Sequence, residues 1–157
     1  MYDHIAASYN ELHGAEQRRK LSSLLAVATL PDGTVLDVGC GTAHLSTYFL
    51  DYVGVDPSQP LLDQAPSNTK VVCARGEDLP FDDNSFPVVV SLTALHNYDD
   101  WHLGIDELFR VCSHTALVGV LKKSAEHDAI VSYVRERFSV IHELSDQHDL
   151  LLVLHKL

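Results

Sequence analysis

The run Val35-Leu36-Asp37-Val38-Gly39-Cys40-Gly41-Thr42-Ala43-His44-Leu45 places a carboxylate two residues ahead of a Gly-x-Gly turn. Apolar, β-compatible residues lead into the glycines and helix-compatible ones follow, so the run reads as a buried strand turning into a helix. Glycines there let the backbone approach a ligand closely, and helix N-terminal amides would point at it. Asp37 then selects the ligand. A carboxylate at this position would repel a pyrophosphate laid over the turn, and His44 stands where the dinucleotide fingerprint needs its third glycine. The turn therefore suits a nucleotide that carries positive charge and no phosphate.

S-adenosylmethionine is such a nucleotide, with an ammonium and a sulfonium, and on these residues the chain resembles the class I, Rossmann-like S-adenosylmethionine-dependent methyltransferases. That family's first strand and loop read Asp-x-Gly-x-Gly-x-Gly. Asp37, Gly39 and Gly41 match it, Cys40 is the small residue between the glycines, and Ala43 replaces the last glycine. A second acidic residue, Asp56, closes Tyr52-Val53-Gly54-Val55, 17 residues after Gly39 and close to the roughly 20 of a ribose-binding acid in related folds. Pro57 then turns the chain. A third match is Val71 to Phe81, whose Asp78 the resemblance assigns to the adenine amino group, with Glu77 and Leu79 shaping that pocket. The stretch Leu79-Pro80-Phe81 to Phe86 resembles the branch that includes ubiquinone and menaquinone C-methyltransferases, with Pro87 standing where that branch carries Asp.

Beyond the next apolar run lies Ser91-Leu92-Thr93-Ala94-Leu95-His96-Asn97-Tyr98. Ligands in open α/β sheets bind past the carboxyl ends of the strands, so Ser91 to Asn97 should line the site. Ser91 and Leu92 fall on the cofactor side and Thr93 and Tyr98 on the acceptor side. His96 is the candidate general base; the branch often carries a histidine pair here, and Asn97 replaces the second. The Asn/Asp-Pro-Pro-aromatic signature of enzymes that methylate planar exocyclic or amide nitrogens is absent from the sequence. Tyr2 and Tyr9 match the family's N-terminal cap, and their rings would favour the sulfonium end.

The elements that must hold these residues follow from periodicity. The spacing of Leu21, Leu24, Leu25 and Ala28 predicts a helix over 12–29, ended by Pro31-Asp32-Gly33. Strands are expected at 34–38, 52–55, 70–74, from Val88 since proline favours strand starts, and 115–121. Helices are expected at 43–50, 59–64 and from Trp101, the last with Asp99 or Asp100 as N-cap, and then after a Ser124 cap. Two further strands, 139–144 and 150–155, lie too close for a parallel crossover and must form an antiparallel hairpin. The resemblance implies a three-layer α/β fold with a seven-stranded, mostly parallel sheet of order 3-2-1-4-5-7-6. Residues 1–157 then form one methyltransferase domain, with 1–30 as a helical cap.

A chain of 157 residues holds one such domain. Its net charge of −11 argues against direct nucleic-acid binding, which needs a basic face. Three cysteines without metal-ligand spacing fit a reducing cytoplasm, ten scattered histidines form no metal motif, and no apolar run approaches a membrane span. The expected activity is methyl transfer from S-adenosylmethionine, leaving S-adenosylhomocysteine, to a small-molecule acceptor. RNA or protein methylation with a partner subunit, or a silent cofactor-binding subunit, are the alternatives. A nicotinamide oxidoreductase is disfavoured by Asp37. The thin cap leaves room for a partner protein, or a second copy of the chain, to complete the pocket.

Overall fold

The computed structural model describes the backbone of residues 2–157 and the side chains from Glu11 onward. Seven strands form one sheet: β1 (Val35–Val38), β2 (Tyr52–Asp56), β3 (Lys70–Cys73), β4 (Phe86–Leu92), β5 (Cys112–Leu121), β6 (Ser139–Ser145) and β7 (Asp149–His155). Their order is β3-β2-β1-β4-β5-β7-β6. The strands β1 to β5 pair in parallel, and β7 runs antiparallel to both β5 and β6. The expected order and hairpin are both present. Every residue of β1 and β2 is buried, as parallel strands covered on both faces require.

Helices cover the two faces unequally. On one face α3 (Trp101–Val111) and α4 (His127–Arg137) bury Ile105, Leu108, Val111, Ile130 and Val134 against the sheet. On the other lies α1 (Tyr2–Val27), whose Leu21 and Leu24 pack with Val88, Val90, Leu117 and Val153. It begins ten residues before the expected start at 12. The stripe Gly14, Gln17, Leu21, Leu24 runs down its buried side at helical spacing, and its upper part stands over the carboxyl ends of the strands.

Four expectations need correction. No α-helix spans 43–50; turns and a short 3-10 segment, Ser46–Tyr48, occupy it. Gly41 and Ala43 take φ of 56° and 62°, left-handed values that cannot start a right-handed helix, and the segment instead drops Ala43 and Leu45 into the α1-side core. No α-helix therefore starts directly from the glycine turn. Strand β4 begins at Phe86 rather than Val88: Phe86 pairs with Cys112, the register shifts before Val88, and pairing with β1 starts only there. Pro87 sits in that irregularity, where its missing N–H removes no ladder bond. Strand β5 begins at Cys112, directly after α3, rather than at 115. Ser124 does not cap α4; its hydroxyl accepts from the Glu126 amide 3.2 Å away, a turn before the helix begins at His127. At α3 the Asp100 carboxylate is the N-cap and accepts from Leu103 N. A further short helix, α2 (Gln59–Leu62), follows β2 and is capped by Ser58. No helix among the described residues is long and apolar enough to cross a membrane.

Candidate active site at the carboxyl edge of the sheet

The turn after β1 is built by backbone conformations and by two carboxylates. Gly39 has φ of 82°, and its amide and that of Cys40 both donate to the Val55 carbonyl at the end of β2. Asp56 closes the turn from the neighbouring strand: its Oδ2 accepts from Gly41 N and its Oδ1 from Ser58 N, each at 2.9 Å. Each oxygen keeps a second lone pair for an outside donor. Asp37 is buried beneath the turn and accepts from the Tyr52 hydroxyl at 2.6 Å. Burial raises its carboxyl to about 7; the Tyr52 bond opposes the shift and the Asp56 charge adds to it. The Cys40 thiol, also buried, is pushed up by desolvation and by both carboxylates, which leaves it unreactive.

Two spaces open on this turn. The larger, about 220 Å³, is walled by Gly39, Val55, Pro57, Ala74, Arg75, Gly76, Glu77, Asn97, Tyr98 and Asp99. That is below the roughly 300–1,000 Å³ of a full ligand pocket and suits the nucleoside half of one. Its outer wall is organised by Glu77, which accepts from the amides of Asp99 and Asp100 and pairs with Arg75 at 3.0 Å. Burial works against the Glu77 charge, but these donors together hold its carboxyl below the ordinary range. Arg75 reaches Asp99 as well, at 3.1 Å. Tyr98 lies on Gly76 and Gly104, where a Cβ at either position would come within 2.3 Å of its ring or hydroxyl. The buried hydroxyls of Tyr98 and Ser91 face each other.

The smaller space, about 20 Å³, lies between α1 and the turn and is lined by His13, Gln17, Asp37, Gly39, Cys40, His44, Leu45 and Leu92. Gly39 borders both. Beside this recess α1 is pinned to the sheet. Lys20 Nζ donates to Thr93 Oγ1 at 2.8 Å and lies 3.4 Å from Asp149 Oδ1, with both charged side chains almost fully buried. Thr93 in turn donates to Asp149, and Asp149 sits over Gly119, where a Cβ would meet its Oδ2 at 2.9 Å. His96 is half-buried beside this group. Burial holds its imidazole below the ordinary value, Asp149 opposes and Lys20 adds, which favours the neutral form.

Of the residues singled out from the sequence, Gly39, Pro57, Glu77 and Tyr98 meet in the larger cleft, and Asp37, Gly39, Cys40 and Leu92 in the recess. Asp56 and Gly41 bind each other at the boundary. Asp78 is exposed and lines neither space, and Leu79 is buried in the core under α3, where its amide donates to Glu107. Tyr98 faces the nucleoside-sized cleft, apart from Thr93, which is held by Lys20 and Asp149. Tyr2 and Tyr9 lie outside the described side chains. Sequence reading missed Gln17, Lys20, Tyr52, Arg75 and Asp149. For the first two the signal was there: Gln17-x-x-Lys20 interrupts the apolar face of a helix at i, i+3 spacing. No cluster of histidine, cysteine and carboxylate able to hold a metal occurs among the described residues.

A seven-stranded sheet in this order, with a nucleoside-sized cleft over a carboxylate-bearing glycine turn, defines the Rossmann-like methyltransferase class. Residues 36–120, more than half the chain, match the methyltransferase domain family, and the chain belongs to that S-adenosylmethionine-dependent family. A demethylmenaquinone methyltransferase of Clavibacter sepedonicus is 29% identical over 126 residues, 71% of this chain and 51% of its own length. The chain spans about half the length of the curated relatives it matches. The PH0226 protein of Pyrococcus horikoshii superposes with a TM-score of 0.79 at 17% identity, covering 91% of each chain. A chain of the Haloferax volcanii complex between the Trm112 methyltransferase activator and a methyltransferase superposes at 0.73, 19% identical, over 96% of this chain and 95% of its own.

Proposed function

We propose that this protein binds S-adenosylmethionine across Gly39 and transfers its methyl group to a small-molecule acceptor. The observation that carries the reading is the junction at Gly39 of a nucleoside-sized cleft and a small recess lined by the buried Asp37. The residues present fit the cofactor. Asp56 offers its remaining lone pairs to ribose hydroxyls, Pro57 and Tyr98 offer apolar surface to the base, and Asp37 supplies negative charge for the amino-acid end. The cofactor, once bound, supplies a methyl group already activated on sulfur. Protein groups then have only to align the acceptor, exclude water and, for an acceptor that must lose a proton, accept it. His96, neutral and beside Thr93, is the group we assign to that last task.

A second reading is favoured by the likeness to a chain from an activator complex. In it a partner protein completes the acceptor pocket and the acceptor is a macromolecule. Isothermal titration with S-adenosylhomocysteine, with NAD as control, tests the shared core of both readings. Micromolar binding of the former alone is expected, and binding of neither would overturn both for the protein by itself. A screen of acceptors with labelled S-adenosylmethionine, with and without candidate partners, then separates them.

A further inference from the structure

Gln17 is buried, 8% exposed, on the face of α1 that looks onto the glycine turn. Its Nε2 donates to the Leu92 carbonyl at 2.9 Å, which fixes the amide's orientation. The other end, Oε1, is then an acceptor shut away from solvent with no hydrogen-bond partner among the described residues. A buried acceptor left unmatched is costly, so a donor from beyond the described residues, such as a ligand group, would complete it. The recess lined by Gln17 has about 20 Å³. Roughly 10–15 Å³ admits one water-sized group, so this space takes a single small polar group and nothing larger. Asp37 and Gln17 both line it, together with His13 and His44, and the buried carboxylate and unmatched amide oxygen that those first two residues carry suit a cation with several N–H donors.

We infer that Gln17 of α1 is a direct ligand of the cofactor's α-ammonium, sharing it with Asp37. The inference rests on the cofactor reading above and adds to the glycine-turn site a residue from the helix that covers it. One turn further along α1, Lys20 is held by Thr93 and Asp149 and fixes the helix at the end of β4. Gln17 thus reaches the recess from a pinned element. Its position makes α1 part of the binding site, and the site's affinity depends on that helix staying docked.

Ligand truncation separates a contact from a packing effect. S-adenosylhomocysteine and 5′-methylthioadenosine share the adenosine and the thioether, and only the first has an amino-acid end. Calorimetric titration of both is made on the wild type, on Gln17→Met, which keeps the side chain's bulk, and on Gln17→Ala, with thermal unfolding to verify folding. Each Gln17 variant is expected to weaken S-adenosylhomocysteine about tenfold or more while changing 5′-methylthioadenosine less than about twofold. Unchanged affinity for S-adenosylhomocysteine, or equal loss for both ligands, would overturn the assignment. A wild type that binds 5′-methylthioadenosine no more weakly than S-adenosylhomocysteine would do the same, since the recess then contributes nothing. A wild type that binds neither ligand overturns the cofactor reading, and this inference with it.

Discussion

Asp37 illustrates how a functional carboxylate works against the fold that holds it. Its folded value lies near 7, up from 3.8, chiefly because it is buried. Between those values the folded protein keeps a proton that the unfolded chain releases. Its stabilising contribution is therefore full below about pH 4 and is lost as pH rises through 7. Asp37→Asn should then raise stability at pH 8, on the order of 1–4 kcal/mol by urea unfolding, since the Tyr52 hydroxyl can donate to the amide oxygen. The same substitution should weaken S-adenosylhomocysteine by tenfold or more, on the order of 1.4 kcal/mol or above. Affinity of the wild type should climb from pH 6 to pH 8, because the ligand's ammonium favours the ionised carboxylate, and that slope should vanish in the variant. Titrations at three pH values would expose a flat wild-type profile, the result that contradicts a role for Asp37 in binding. Asp56 differs, for its carboxylate also holds the Gly41 and Ser58 amides. Asp56→Ala is thus expected to cost roughly 1–3 kcal/mol of fold stability besides weakening ligand, which a thermal melt and a titration of the same sample would separate. Both acids were legible as candidates in the sequence because each sits toward the carboxyl end of an apolar strand at motif spacing. Tyr52 was not, since its side chain has to cross to the neighbouring strand to reach Asp37, and register is a property of the sheet.

At the level of elements, the join between α1 and the sheet is polar where the rest of that face is apolar. Lys20 and Asp149 are buried as an ion pair bridged by Thr93, so removing one partner strands the other charge. Lys20→Met should destabilise by roughly 3–5 kcal/mol in urea unfolding, and Lys20→Met with Asp149→Leu should recover much of that loss. A single variant as stable as wild type would mean that the pair contributes nothing. Tyr98 gives a second test: it is wedged onto Gly76 and Gly104, so Gly104→Ala should push the ring and cost about 1–3 kcal/mol, with narrowing of the nucleoside-sized cleft read as weaker ligand binding. Strand order was legible only through the family resemblance that the motifs at the strand ends carry; the apolar runs give strands without their order, and the short final connection gives the antiparallel hairpin alone. The helix expected at 43–50 failed because composition permitted it while the backbone at Gly41 and Ala43 did not. Position 43 holds Ala, which carries none of the usual marks of a left-handed residue. Lys20 failed for a related reason: in Arg18-Arg19-Lys20 it reads as one of a solvated cluster, and only its phase on the helix, in register with Leu24, turns it inward.

Across the whole molecule, 22 acidic residues against 11 lysines and arginines give a net charge of −11, with ten histidines in reserve. Protonating every histidine would nearly cancel that charge, and on composition alone the change should fall around pH 6 to 7. The fold delays it. His13, His44, His96 and His155 are all held below the ordinary histidine value, first of all by burial, and so take up their protons at more acid pH. Asp37 acts in the opposite direction, since a carboxyl that titrates near 7 removes one negative charge early. Four delayed protons outweigh one early one, so the folded protein stays anionic further into acid than its histidine count suggests. Self-association from charge cancellation should therefore peak near the sequence isoelectric point of about 5.1, and light scattering from pH 7.5 to 4.5 should be flat down to about 6 before rising. Scattering that rises already at pH 6.5 would mean that these histidines protonate freely, and with that the neutral state assigned to His96 near its acceptor would lose its basis.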